Sequence, residues 1–201
     1  MPVISKLPKS NKDKLIVGNS YKLNGTTNPK VQPNKFLGFN NNLKLAIFQS
    51  EGFTRSSFNG INELSSNLNN VQFIGDFVSV ASNFYLPRVN SGNAGCFPSG
   101  LPTPTYISVH NGSSWVDEYS DNAKNGLIKA AQNYQIIGGS MAIPYAWIGV
   151  CYESINSSVY IIGTSGEFST STPSYSGCIT APCFTIQYEH IKVQGDTLYY
   201  K

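Results

Sequence analysis

The sequence predicts a mainly β protein: an antiparallel β-sandwich or jelly roll with one short helix at about residues 121–134 and an extended basic N-terminal arm. Three observations carry that prediction. Polar and apolar residues alternate over short runs such as Val71–Leu86 and Phe184–Val193. Gly, Pro, Asn and Asp separate these runs at close intervals, giving about eight to ten short strands. One segment alone carries apolar residues at helical spacing over more than two turns.

The chain divides on composition into an arm, residues 1–42, and a β-rich body, residues 43–201. The arm holds Pro2, Pro8, Pro29 and Pro33 among lysines and asparagines, with one short strand expected at Lys14–Val17. The body opens with the strand Leu43–Gln49. Asn59–Asn70 is polar, with room for one helical turn. In Val71–Leu86 the phase of the alternation shifts at Gly75-Asp76, which predicts a bulge or tight turn. Pro87–Thr105 is a long Gly- and Pro-rich loop. A strand to Val109 then leads to a turn at Asn111-Gly112. In the helix Asp121–Tyr134, Ser120 or Asp121 can cap the start, and Ala123, Leu127, Ala130, Ala131 and Tyr134 share a face, while Gly126 weakens it. Strands are expected next at Gln135–Ile137, Ser140–Ile143, Ala146–Tyr152 and Ser158–Gly163. Phe184–Val193 and Thr197–Tyr200 close the chain as a hairpin at Gly195-Asp196.

A chain of 201 residues can bury a core large enough to fold without metal or disulfide. Charged residues are only 12%, about half the share of roughly 25% common in soluble domains. Amides, hydroxyls and phenols must therefore coat the surface. The charge is uneven: Met1–Lys44 has eight lysines against the single acid Asp13, a local +7, and the remainder is −4. The arm, led by Lys6, Lys9, Lys12 and Lys14, is thus placed to meet nucleic acid or another acidic partner. No apolar run of about 7–15 residues near Met1 marks a leader. The charge-free run Ala130–Tyr152 is broken by Gln132, Asn133, Gln135, Gly138-Gly139 and Pro144, so no membrane span is expected.

Chemical motifs are few. Cys96, Cys151, Cys178 and Cys183 lack zinc-ligand spacing, and no metal or cofactor is predicted. Cys178 and Cys183 flank Pro182, and a disulfide across a turn there is the cheapest pairing to close; four free thiols are the alternative. His110 and His190 are the only histidines, and no nucleophile elbow or phosphate loop accompanies them. No catalytic residue is assigned. Trp115, Asp117 and Tyr119, in "WVDEYSDN", form a candidate glycan platform. Asp117, Glu118 and Asp121 also suit a helix N-terminus, where the macrodipole favours anions.

These features point to a non-enzymatic structural or host-attachment protein of a virus or phage particle (capsid, spike or fibre), located in the virion. It would be a homo-oligomer or sit on a particle scaffold, assembling through polar, weakly charged β surfaces. The alternative is an extracellular carbohydrate-binding module or lectin with a glycan receptor. A hydrolase with an unrecognised carboxylate pair ranks third.

Overall fold

The computed structural model describes residues 14–26, 33–51, 54–55, 72–90, 106–136, 145–147, 149–150, 159–171 and 178–201. In chain order the strands are β1 (Ser20–Leu23), β2 (Asn34–Asn40), β3 (Leu45–Ser50), β4 (Thr54–Arg55), β5 (Ala81–Tyr85), β6 (Arg88–Asn90), β7 (Tyr106–His110) and β8 (Trp115–Val116). The helix α1 (Ser120–Ile136) follows, then β9 (Tyr145–Trp147), β10 (Gly149–Val150), β11 (Val159–Gly163), β12 (Phe168–Ser171), β13 (Ile179–Thr180), β14 (Cys183–Gln187), β15 (Ile191–Gln194) and β16 (Thr197–Tyr200). The fold is mainly β, with one helix among the described residues. A curled seven-stranded sheet runs β15-β16-β1-β2-β3-β14-β5, beside sheets β10-β6-β7-β8 and β12-β11-β9-β13-β4. Most pairings are antiparallel, but β1 with β16, β6 with β10 and β9 with β13 are parallel.

Register explains the core. Directly paired residues share a face of a sheet. Phe36, Phe48 and Phe184 pair across β2, β3 and β14, and their rings lie 5.4 and 5.7 Å apart. The next row, on the opposite face, is Ser20, Lys35, Gln49, Cys183 and Tyr85. Helix α1 covers that second row and also touches β7, β9 and β11. It approaches closely because its buried face is made of small residues: Ala123, Leu127, Ala130 and Ala131 are all fully buried, as predicted for that face. Gly126 fits there: a Cβ would stand 2.0 Å from Gln49 Oε1, so the buried Gln49 side chain would have to shift to admit one.

Several expectations change. The boundary at residue 42 does not stand: β1 and β2 are interior strands of the main sheet, and Tyr21, Leu23, Phe36 and Leu37 are in the core. An Asn/Lys-rich composition hid strands whose apolar residues are few but mostly buried. Lys14–Val17 is a turn rather than a strand, since the chain bends at Gly18 (φ 83) to enter β1. Val71–Leu86 is not one long strand. Gln72–Phe77 forms 3-10 turns broken at Gly75, and only Ala81–Tyr85 is extended. The helix continues to Ile136, so its last turn takes the residues expected to start a strand at Gln135. Tyr188–His190 is a 3-10 turn that splits the expected Phe184–Val193 strand into β14 and β15. The C-terminal hairpin matches, with Gly195 at φ 61. No described helix is long and apolar enough to cross a membrane.

Cys178 and Cys183 are both buried, and no disulfide joins them to each other. The link between them is a crossover from the five-stranded sheet to the main sheet, not the hairpin turn expected. Ile179–Thr180 pairs in the five-stranded sheet, and Pro182 already accepts from Ser50 N–H alongside β3. Cys96, Cys151, most of Pro87–Thr105, and Asn59–Asn70 lie outside the described residues.

Candidate functional site

Two clusters collect the polar chemistry. The first lies where β6, β7 and β8 meet the start of α1. Ser108 Oγ donates to Asp117 Oδ1 at 2.5 Å, and Ile107 N–H donates to Ser120 Oγ at 2.9 Å. The Ser120 hydroxyl therefore ties the helix start to β7, while Ala123 N–H returns to the Tyr119 carbonyl oxygen as the first helical bond. Trp115 packs edge-on to Tyr85 and His110, at 5.2 and 5.3 Å, and the Arg88 guanidinium stands 4.0 Å over its ring. Tyr85 donates its hydroxyl to the His110 carbonyl oxygen at 2.7 Å and touches the Cys183 thiol.

Of the predicted platform, Asp117 is exposed and Trp115 and Tyr119 are half-buried. Their neighbours differ. Trp115 sits among Tyr85, Arg88 and His110, whereas Tyr119 lies on Gly38 of β2 and donates to the Phe39 carbonyl oxygen at 3.1 Å. Burial, then the neighbouring Glu118 carboxylate, pushes the Tyr119 phenol above its ordinary range, so it stays a donor. Both rings thus contribute to packing of the core.

Burial, with repulsion from Arg88 second, lowers the His110 pKa below the ordinary 6.5. The sign for stability follows. Between the folded value and 6.5 the unfolded chain holds a proton that the folded chain lacks, so stability rises with pH there and falls on acidification. The denaturation midpoint is expected to drop between about pH 7.5 and pH 5, and to drop less in His110→Gln. Equal losses in the two proteins would show that His110 is not the titrating group.

The second cluster was not legible from motifs. Lys35 Nζ lies 3.1 Å from Glu51 Oε1, with side chains only 13% and 2% exposed, and also donates to the Gly18 carbonyl oxygen at 3.0 Å. Ser20 Oγ donates to Glu51 Oε2 at 2.6 Å, and Asn133 Nδ2 holds the Glu51 main-chain oxygen at 2.9 Å. Lys35, expected in an extended basic arm, is therefore an interior cation. Lys22 likewise pairs with Asp196 at 3.3 Å, although on the surface. Of the arm lysines proposed to meet an anion, Lys14 is exposed, and Lys6, Lys9 and Lys12 lie outside the described residues. Among the described residues no group of three or more His, Cys, Asp or Glu is arranged to hold a metal.

No known protein family matches the chain, nor does any curated protein or solved structure.

Proposed function

We propose that the chain is a non-enzymatic structural or attachment component of a virus or phage particle, a sandwich-type β body that assembles through its polar faces. The observation that carries this is the sparse surface charge. Only 12% of residues are charged, and in the structure Lys22 and Lys35 are already matched by Asp196 and Glu51. Faces of amides and hydroxyls dock against copies without burying unpaired charge, which is the costly part of association. The two outer strands of the main sheet, β15 and β5, are short, which suits regulated lateral contact.

Size-exclusion chromatography with mass measurement tests the proposal. A closed assembly of defined copy number is the expected result. A strict monomer at high concentration that is retained on a glycan array would instead support the carbohydrate-binding alternative and sink the assembly reading.

A further inference from the structure

The hairpin between β7 and β8 joins His110 and Trp115 through four residues, Asn111–Ser114, with Asn111 N–H returning to the Ser114 carbonyl oxygen at 2.9 Å. Its tip is Gly112-Ser113, one residue later than the turn expected at Asn111-Gly112, and Gly112 sits at φ 99. Three donors converge on the Asn111 side-chain oxygen Oδ1: Ser113 N–H at 3.0 Å, Ser113 Oγ at 2.9 Å and Ser114 N–H at 3.0 Å. On the other side, the Gly112 backbone N–H donates to His110 Nδ1 at 3.2 Å. That bond places the unprotonated ring nitrogen at Nδ1, leaving the ring proton on Nε2.

We propose that this hairpin is a built self-modification site, in which Asn111 deamidates through a succinimide formed with Gly112. The arrangement supplies a base for the nucleophile and donors for the carbonyl oxygen of an acyl transfer. The electrophile is the Asn111 side-chain carbonyl carbon, Cγ, and the three donors stabilise the negative charge that its oxygen gains on attack. The nucleophile is the Gly112 backbone nitrogen, with no side chain on its residue to obstruct it. The base is His110, in contact with the proton that must leave. Burial and Arg88 keep that imidazole below its ordinary pKa, so it is neutral and able to accept at pH 7.

The step balances. The Gly112 N–Cγ bond forms as the N–H proton passes to His110 Nδ1. The Cγ–Nδ2 bond then breaks, and the departing nitrogen takes a proton, from the imidazolium or through water, and leaves as ammonia. Water opens the imide at either carbonyl, giving aspartate or isoaspartate. No oxidant or other co-reactant is consumed. The product adds a carboxylate next to His110 in the chain, and the isoaspartyl form lengthens the main chain within a tight hairpin.

The test incubates the full folded chain and a free peptide of residues 107–116 in the same neutral buffer. Peptide mapping by mass spectrometry, with isoaspartyl detection, follows Asn111. The folded chain is expected to deamidate about tenfold or more faster than the peptide, and His110→Gln, which keeps an acceptor but no base, to fall to near the peptide rate. Ser113→Ala is expected to slow the reaction severalfold and, at an exposed position, to leave the fold intact. A folded chain that reacts no faster than the peptide overturns the proposal. So does a folded His110→Gln chain, or a Ser113→Ala chain, that reacts as fast as the parent.

Discussion

Gly75→Ala is expected to destabilise the protein by about 3 kcal/mol or more, beyond what any exposed glycine would show. Gly75 lies at φ 49, ψ −127, a conformation that side chains with a Cβ rarely adopt. The space is also filled. A Cβ would stand 2.2 Å from the Asn24 oxygen, 2.7 Å from the Thr26 nitrogen and 2.8 Å from the Gly25 carbonyl carbon. All three are backbone atoms and cannot rotate aside. The turn that ends β1 is clamped to this point by Asp76 N–H to the Asn24 oxygen at 3.0 Å and by Asn24 Nδ2 to Asp76 Oδ2 at 2.6 Å. Ile74 and Phe77, on either side, are buried in the core, and Phe77 meets Tyr200. Moving Gly75 therefore pulls on β1 and β16 together. For a chain of this size the loss corresponds to a melting temperature lower by roughly 6–12 °C. Gly195→Ala is the control. It also has positive φ, at 61, but nothing lies within 4 Å, so only the conformational cost of about 1–2 kcal/mol applies. If Gly75→Ala melts no lower than Gly195→Ala, the steric argument is wrong.

Gly75 also shows how far the sequence reaches. The break in alternation at Gly75-Asp76 is visible, but alternation alone cannot tell a bulged strand from a 3-10 plug docked on a distant turn. Helix α1 is legible because Ala123, Leu127, Ala130 and Ala131 recur at its period and the sheet buries that stripe. Gly126 reads as a weakness until Gln49 is seen beneath it. Trp115, Asp117 and Tyr119 are close in sequence, yet a short strand and a helix start aim the two rings at β6 and β2. Asn111-Gly112 is legible as a turn, but its chemistry depends on where His110 Nδ1 and the Ser113 hydroxyl fall. An extended arm does not describe β1 and β2, because a lysine count cannot show which lysines are buried. A charge count carries no information about which lysine faces an acid 16 residues on, as Lys35 does Glu51.

Lys35→Met is the second large effect expected, a loss of about 3–5 kcal/mol. Methionine keeps the length and apolar stem of the lysine, so the change isolates the ammonium. Glu51 would then keep the Ser20 hydroxyl but lose the charge opposite, in a site where its side chain is only 2% exposed. Asn133 reaches the Glu51 main-chain oxygen, not the carboxylate, and cannot replace the cation. An uncompensated buried charge is what makes breaking such a pair expensive, whereas replacing both partners with apolar residues is often neutral. The double variant Lys35→Met, Glu51→Leu should accordingly recover most of the loss, and urea denaturation of the parent, Lys35→Met, Glu51→Leu and the double variant gives the coupling directly. Salt should change the Lys35–Glu51 contribution little, because buried pairs are poorly screened. Lys22→Met is the surface counterpart: Lys22 and Asp196 are 62% and 65% exposed, so its midpoint should match the parent's. A Lys35→Met protein as stable as the parent, or a double variant no better than the single, would mean that the Lys35 ammonium is not what sustains the buried Glu51 carboxylate beneath α1.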